Sequence, residues 1–599
     1  MSIEIITTKT VDVLKKCIPL LDTEERPTRK EDYIKLILKH MLSPRIETYW
    51  QRLEPLEQKA IAEAIYNWDG RFYALRFERK YLAIPKIFIQ QPYSYQRTSN
   101  AKQETSTLRL FFYGGVIPDE FIAKLKEFVL RPTEDAIKVS SSTDILDNGF
   151  LMDKADTKVR VIATQTAVDQ ELAAILRLID NGKISVSDKT AQATTASVKS
   201  IDTMLVGGDF YSAEDDLELV KYVGGSIRPI RSFAWPLLLQ TGGLAKRVGK
   251  KLELTGKGKK AITGTLGDTI KTLYTRWRDK GSLDEFRRVD LIKGQNGKGR
   301  RMTKVAERRH AVEEVLGCCP VDEWVSVDEL FRYMQAGDFG LEVVHDPWKL
   351  YLCDSNYGSL GYDGHHDFTI LQGRYLLTYL FEYLATLGMI DVAYIPPYHV
   401  RSDFNGIWGA DDIYFLSRYD GLLYFKLNSL GAWCLDLVDN YQPIVPTIVP
   451  LLHVNEQFQI DLIRDATPTE LLTLNQYTEF NSDAQRCLTP ESLLSALEQG
   501  FSPESLLVFL ESYSDEPLND EVKQLFSDFG SRSAAMNDGG MARLIKCGNA
   551  GLARMISTDP TTRTHCQLIN GNTLVVPTKS EAALRKGLRK LGYVLPQEK

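Results

Sequence analysis

The only cluster of histidines in the sequence is the tetrad Gly364-His365-His366-Asp367, with His345 and His399 nearby along the chain. Imidazole and carboxylate groups bind transition metals when the fold brings several of them together. The sequence has no H-E-x-x-H motif, and the residues around the tetrad (NYGSLGYDGHHDF) are typical of a loop. We therefore interpret the tetrad as polar loop positions and predict neither a metal site nor a catalytic residue.

Nucleotide chemistry would require the pattern G-x-x-x-x-G-K-[ST], which wraps backbone amides around phosphates, and the sequence does not contain it. Residues 255–263 (TGKGKKAIT) have the glycines and lysines without the spacing, and a basic hairpin is the better interpretation. Neither G-x-S-x-G nor C-x-x-C occurs, so no activated serine and no zinc or redox cysteine pair is indicated. The sequence thus predicts a protein that is not an enzyme and needs no cofactor.

Positive charge is concentrated in one stretch of an otherwise acidic chain. The 599 residues carry a formal net charge of −6, but residues 246–309 contain 20 Lys and Arg against 7 Asp and Glu, a local balance of +13. A solvated face could also be rich in these residues. The size of the surplus and the glycine-rich run at 293–301 (KGQNGKGRR) instead favour contact with the phosphates of DNA or RNA.

We expect the Lys and Arg side chains of this stretch to contact nucleic acid. Phosphate contacts carry no sequence information, so the binding should tolerate many sequences. The predicted contacts are Lys246, Arg247, Lys250, Lys251, Lys257, Lys259, Lys260, Arg276, Arg278, Arg287, Arg288, Lys298, Arg300, Arg301, Arg308 and Arg309.

Helical periodicity and turn residues outline a DNA-binding module around the start of this stretch. Residues 169–180 form an amphipathic helix closed by Asn181-Gly182, and a second helix is predicted over 193–205; together they are typical of a helix-turn-helix. Residues 235–262 then give a helix end, a strand, a basic hairpin and a strand, as at the end of a winged helix. A related succession recurs at 379–425.

The second helix of this module would be its recognition helix. Thr194 and Thr195 can cap it, because a hydroxyl before the first turn accepts a hydrogen bond from an unpaired backbone amide. The side chains expected on it are Thr194, Thr195, Ser197 and Lys199.

The C-terminal quarter of the chain carries a more specific pattern. Residues 488–500 have the form L-T-x-x-S-L-x-x-A-L-x-x-G, followed by Phe501-Ser502-Pro503-Glu504 and a run of apolar residues at 506–510. Residues 584–593 have the form L-x-x-x-L-x-x-x-G-Y. This part of the chain resembles the N-terminal domain of the XPB family of DNA helicases, which also occurs in bacterial helicase-associated proteins that lack a motor.

The resemblance implies a protein that binds DNA and docks or regulates a separate helicase or translocase, in DNA repair, replication or anti-phage defence. The predicted winged helices upstream are similar, more distantly, to the subunit of transcription factor TFIIH that clutches XPB through a related domain. Two alternatives remain open: a purely protein-binding scaffold of a multi-subunit complex, and a winged-helix transcription regulator. A metal-dependent nuclease is the enzymatic outlier.

We predict a helix-rich, multi-domain α+β protein with four domains. These are a mixed α/β domain (1–160), a winged-helix region (161–265), a basic linker with further winged-helix modules (266–450) and a small XPB-like α/β domain (451–599). The apolar stretches are short and no secretory signal is evident, so we expect no membrane association and a cytoplasmic location.

Overall fold

The computed structural model describes residues 3–85, 106–141, 158–216, 226–262, 264, 266–295, 302–337, 339–352, 358–362, 368–443, 449–498, 503–534 and 541–596. Its contacts divide the chain into two compact units, residues 1–446 and residues 447–599. Helices predominate, and the strands of the described residues form small antiparallel sheets, so the predicted helix-rich α+β class is confirmed at this level.

The first unit begins with a helical layer over residues 3–129. Its helices enclose a core that includes Ile37, Ile61 and Phe111. They are α1 (Glu4–Thr7), α2 (Val11–Lys15), α3 (Lys30–Met41), α4 (Arg45–Gln51), α5 (Pro55–Asn67), α6 (Ala74–Tyr81) and α7 (Asp119–Leu125), with 3-10 turns at Ile18–Leu20 and Thr107–Leu110. The aromatic residues of α6 do not prevent a helix, because the Ala, Leu, Arg, Glu and Lys residues around them have high helix propensity.

Among its described residues, module A, defined as residues 164–254, has the order helix, strand segment, helix, short helical turn (213–216), helix, strand, strand. Its first strand segment, residues 184–186, pairs with β3 through a bridge between Ser185 and Lys251. The predicted stop at Gly182 is confirmed by its positive φ of 63°, and the predicted cap is confirmed because the Thr194 side chain accepts a hydrogen bond from Ser197 N. The named elements are β1 (Arg160–Ile162) just before the module, then α8 (Thr164–Asp180), α9 (Thr195–Asp202), α10 (Arg231–Thr241), β2 (Ala245–Val248) and β3 (Lys251–Leu254).

Module B, defined as residues 305–427, repeats this order. Its first strand pairs with its third, and the third pairs with the second, as in module A. The third helix spans 369–384, with α-helical residues between two π-helical turns, and Gly388 ends it at a φ of 72°. The elements of the module are α13 (Val305–Leu316), β4 (Trp324–Ser326), α14 (Val327–Ala336), α15 (Arg374–Thr378), β5 (Ile390–Tyr394) and β6 (Leu422–Leu427).

The two modules belong to one body. β1, at the predicted boundary of residue 160, pairs with β5 of module B to give the strand order β1-β5-β6-β4. The predicted boundaries at residues 160 and 265 therefore do not separate independent sheets. Around and after residue 265 the chain is largely helical: α11 (Gly256–Ala261), α12 (Leu266–Lys280), the 3-10 turn Glu285–Arg288 and α13, with α16 (Ser429–Cys434) after module B.

Buried ion pairs between arginine and carboxylate groups tie the segments of the first unit together. Arg374 is fully buried, and its guanidinium contacts Asp420 at 3.1 Å and also Asp403. Burial alone would raise the pKa of Asp403, but the hydrogen bonds and charge of Arg374 outweigh it and hold that pKa below its usual range. Arg231 pairs with Glu171 inside module A in the same way.

The second unit contains two small sheets, each with its own core. The first has the order β7-β8-β10-β9 and the second has the order β11-β13-β12. The elements are β7 (Leu452–Val454), β8 (Gln459–Leu462), α17 (Pro468–Tyr477), β9 (Glu479–Ser482), β10 (Gln485–Cys487), α18 (Pro490–Glu498), α19 (Pro503–Tyr513), α20 (Asp520–Ala534), β11 (Ala542–Lys546), α21 (Ala550–Thr558), β12 (Gln567–Asn570), β13 (Thr573–Pro577) and α22 (Glu581–Lys590).

Replacing Arg374 with methionine should destabilise the first unit by about 3–5 kcal/mol, because two buried carboxylates lose their partner. All eight tryptophans lie in residues 1–446, so tryptophan fluorescence during urea unfolding reports on this unit alone. The matched control is Arg52→Met, which breaks the exposed pair with Asp22 and should cost less than about 1 kcal/mol. Equal shifts of the urea midpoint in both variants would contradict the claim that the buried Arg374 ion pairs stabilise the first unit more than an exposed pair does.

Candidate nucleic-acid interface

The hairpin of β2 and β3 presents lysines because its two faces differ. Leu252 and Leu254 are buried on the inner face, whereas Lys246, Lys250 and Lys251 are exposed. The strands pair from Ala245 opposite Leu254 to Val248 opposite Lys251. The turn between them uses Gly249 at a φ of 59°, a left-handed conformation that glycine adopts without strain. Side chains alternate along β3, where Lys251 is exposed and Leu252 is buried, whereas every residue of β2 after Ala245 is exposed, so the hairpin presents its basic residues to solvent.

The short helix α11 follows the hairpin and adds three more exposed lysines, Lys257, Lys259 and Lys260. It begins at a Thr255 cap, whose hydroxyl accepts a hydrogen bond from Gly258 N at 3.1 Å and donates one to Gly243 O at 2.8 Å. Gly258 lies directly against the hairpin: a Cβ there would come within 2.1 Å of Leu244 O. The helix is therefore held against the base of the hairpin by backbone contact.

A cleft of about 490 Å³ lies beside α11. Its walls are Gly243, Thr255, Gly256, Lys257, Lys260 and Arg276. Arg276 is fixed there because its Nη1 donates a hydrogen bond to Gly242 O at 3.0 Å. Lys257 and Lys260 form no ion pair with any residue that the structure describes. A concave site with three cations and little counter-charge suits an anion such as a phosphate group.

We call the hairpin and cleft cations together the basic surface: Lys246, Arg247, Lys250, Lys251, Lys257, Lys259, Lys260 and Arg276. Some negative charge lies within it. Glu253 is exposed directly opposite Lys246, and Asp180 is 4.0 Å from Lys259 Nζ. Arg247 donates a hydrogen bond to the backbone carbonyl of Asp188. The net charge of the basic surface remains strongly positive.

Lys183 also belongs near this surface, although the sequence did not indicate it. It is exposed and precedes the 184–186 strand segment, in which Leu252 N donates a hydrogen bond to Ile184 O at 3.0 Å. Lys251 Nζ lies close to Gly182, 3.5 Å from where a Cβ on that residue would be. The pairing that brings Lys183 here joins residues more than 60 positions apart, so no local sequence signal could have found it.

Four of the predicted contact residues, Arg278, Arg288, Arg308 and Arg309, are engaged within the protein. Arg308 and Arg309 are each 1% exposed and pair with the adjacent carboxylates Asp284 and Glu285. These guanidinium groups cannot reach a phosphate on the surface, which corrects the prediction for them.

Arg278 and Arg288 are less buried but also paired. Arg278 contacts Glu313 at 2.6 Å, and its hydrogen bond to Asp279 lowers the pKa of that carboxyl. Arg288 contacts the buried Glu382 at 2.9 Å. Arg287 is exposed, whereas Lys298, Arg300 and Arg301 lie outside the described residues.

The predicted recognition helix α9 does not present all of its polar side chains. Thr194, Thr195 and Lys199 are exposed, but Ser197 is 2% exposed and its hydroxyl accepts a hydrogen bond from Ser185 N at 2.7 Å. Ser197 therefore holds the 184–186 segment in place. The third helix of the module, α10, packs inward, with Trp235 fully buried.

The structure describes only some of the residues that could carry other chemistry. The 364–367 tetrad lies outside the described residues. Within the part of the chain that the structure describes, no group of three or more His, Cys, Asp and Glu side chains is arranged to hold a metal ion. None of the helices described is both long and apolar enough to cross a membrane.

Replacing Gly258 with alanine should loosen α11 from the hairpin, because the new methyl group would overlap Leu244 O, at a cost of about 1–3 kcal/mol. The readout is the rate of trypsin cleavage after Lys257, Lys259 and Lys260, which should rise. Gly256→Ala is the matched control, since a Cβ there meets nothing within 4 Å. Identical cleavage rates in the two variants would show that α11 is not held at Gly258.

No protein-family model matches the chain, and comparison with curated proteins also gives no match. The similarity of residues 488–510 and 584–593 to the XPB N-terminal domain therefore remains an expectation from the sequence pattern.

Proposed function

We propose that this chain is a non-catalytic nucleic-acid-binding protein that holds phosphates on its basic surface. The observation that carries this proposal is the cleft beside α11, where Lys257, Lys260 and Arg276 converge. Phosphate oxygens are the natural counter-charge for such a site, since neutralising them releases condensed counterions from the nucleic acid. The exposed lysines of the hairpin extend the same positive surface away from the cleft.

We further propose that modules A and B are winged helices. Among their described residues, each has the order helix, strand, helix, short helical turn, helix, strand, strand, and in each the first strand pairs with the third. In module A the exposed hairpin of β2 and β3 would be the wing. Fold alone does not decide what such a module binds, so the proposal of nucleic-acid binding depends on the charge of this wing.

A protein that binds nucleic acid through this wing would contact phosphates and tolerate many sequences, and would not recognise particular bases. A helix that reads bases must enter the major groove with its side chains exposed. The third helix of module A buries Ala234, Trp235 and Leu238, and the third helix of module B, residues 369–384, is buried along nearly its whole length. This packing argues against base reading through these two third helices, whereas α9, the predicted recognition helix, keeps Thr194, Thr195 and Lys199 exposed.

Docking of a separate helicase or translocase is the second part of the proposal, and it depends on the XPB resemblance of the second unit. The residues that carry the resemblance are structural: Leu493 and Ala496 lie in the core, and the Thr489 hydroxyl accepts a hydrogen bond from Ser492 N at 3.1 Å. The pattern therefore specifies how this unit folds, and a partner would meet other residues of its surface.

The variant Lys250→Glu, Lys257→Glu, Lys260→Glu should bind random-sequence duplex DNA much more weakly than the wild type. Each lost phosphate contact removes about 0.9 from the slope of log K against log salt concentration, so the slope should fall by about three. Fluorescence anisotropy across a salt series measures both quantities.

The matched control is Lys15→Glu, Lys16→Glu, Lys30→Glu, which changes the net charge of the same unit equally at three exposed lysines. It should bind almost as the wild type does. An equal loss in both variants would mean that overall charge, not this surface, governs binding. A wild-type protein that binds no DNA even at low salt would refute the proposal and favour the protein-binding scaffold.

A further inference from the structure

We propose that Trp348 and Tyr362 form a stacking site for an unpaired base of single-stranded nucleic acid. This inference rests on the proposed function and adds a strand preference to it. The two rings belong to the segment between α14 and the third helix of module B, away in sequence from the basic surface. The two rings would bind a different part of a nucleic acid from the basic surface, because aromatic rings stack on bases and lysines bind phosphates.

The two rings form an exposed aromatic corner. Trp348 lies on the 3-10 turn Pro347–Lys349 and is 55% exposed, and Tyr362 is 53% exposed. Their ring centroids are 4.8 Å apart with an interplanar angle of 67°, an edge-to-face arrangement. The Trp348 side chain keeps more than half of its surface in contact with water, so burial in the core does not explain its position.

The turn that carries the two rings is held in place by close packing and hydrogen bonds. Gly361 lies directly under the indole, and a Cβ there would come within 2.3 Å of Trp348 Cδ2. Leu360 N donates a hydrogen bond to Leu350 O at 2.8 Å, and both leucines are fully buried. The Ser359 hydroxyl donates to Trp348 O at 3.0 Å. A ring held in place before binding loses little conformational entropy when a base stacks on it.

Positive charge accompanies the aromatic corner. Lys349 is adjacent to Trp348 and exposed, and Lys293 is exposed on the segment whose backbone pairs with Tyr351, with Lys293 N donating to Tyr351 O at 2.7 Å. Gly294 packs against the same turn, since a Cβ there would come within 2.1 Å of Lys349 O. Aromatic rings flanked by cations are what proteins use to hold bases and backbone of a single strand together. This charge favours a nucleic acid over an apolar protein surface as the occupant.

The test compares full-length variants on three labelled probes: an oligo-dT strand, an abasic strand of the same length and a random-sequence duplex. Trp348→Ala should weaken binding to oligo-dT roughly five- to 150-fold, the effect of losing one base–aromatic stack. Binding to the abasic strand and to the duplex should stay within about twofold of the wild type, because neither offers an unpaired base. Trp348→Phe keeps an aromatic face and should retain most of the affinity for oligo-dT.

Trp408→Ala is the matched control, because it removes another exposed indole (59%) from the same unit. It should leave oligo-dT binding unchanged, and the urea midpoint of Trp348→Ala should confirm that the unit remains folded. The stacking site is refuted if Trp348→Ala binds oligo-dT as the wild type does, or if it loses affinity for all three probes equally. In both cases, binding of the duplex by the wild type leaves the proposed function standing, whereas a wild type that binds no probe removes both proposals.

Discussion

The buried pairing of arginine with carboxylate is the interaction on which the first unit depends. Arg231, Arg308, Arg309 and Arg374 are each at most 1% exposed, and each meets an Asp or Glu from a distant part of the chain. A guanidinium offers five donors in a fixed plane, so it can satisfy a buried carboxylate and nearby carbonyls together. Such pairs add little net stability over apolar packing, but an unpaired member is costly, and this penalty favours the arrangement in which every partner is in place.

This use of arginine decides which charges remain on the surface. In residues 246–309 the paired, inward-facing cations are Arg278, Arg288, Arg308 and Arg309, whereas the lysines of the hairpin and of α11 are exposed. Lysine is the more strongly hydrated cation and stays in water more readily. The basic stretch therefore has two roles: four of its arginines bind the core together, and its exposed lysines, with Arg247 and Arg276, leave one surface with a local excess of positive charge. The proposed function depends on the second role alone.

The sequence predicted local features well and the orientation of charges poorly. The Thr194 cap and the stop at Gly182 follow from short-range rules of capping and turn formation, and the structure confirms them. Counting charge could not show that Arg308-Arg309 face Asp284-Glu285, because that depends on tertiary packing. The acidic pair Asp284-Glu285 and the basic pair Arg308-Arg309 lie 24 residues apart, and this match in the sequence could have indicated that they form ion pairs. The position of Lys183 near the basic surface could not be predicted from the sequence, because it depends on the pairing of the 184–186 segment with β3.

Hydrogen exchange of the full-length protein, with and without a random-sequence duplex, tests the central claim most directly. The account predicts that bound duplex slows exchange in residues 244–262, the hairpin and α11, and leaves the third helix of module A, residues 231–241, unchanged. Slower exchange in 231–241 would mean that this helix enters a groove and reads bases. Unchanged exchange in 244–262 at a concentration where the duplex is bound would contradict the assignment of phosphate contacts to the basic surface.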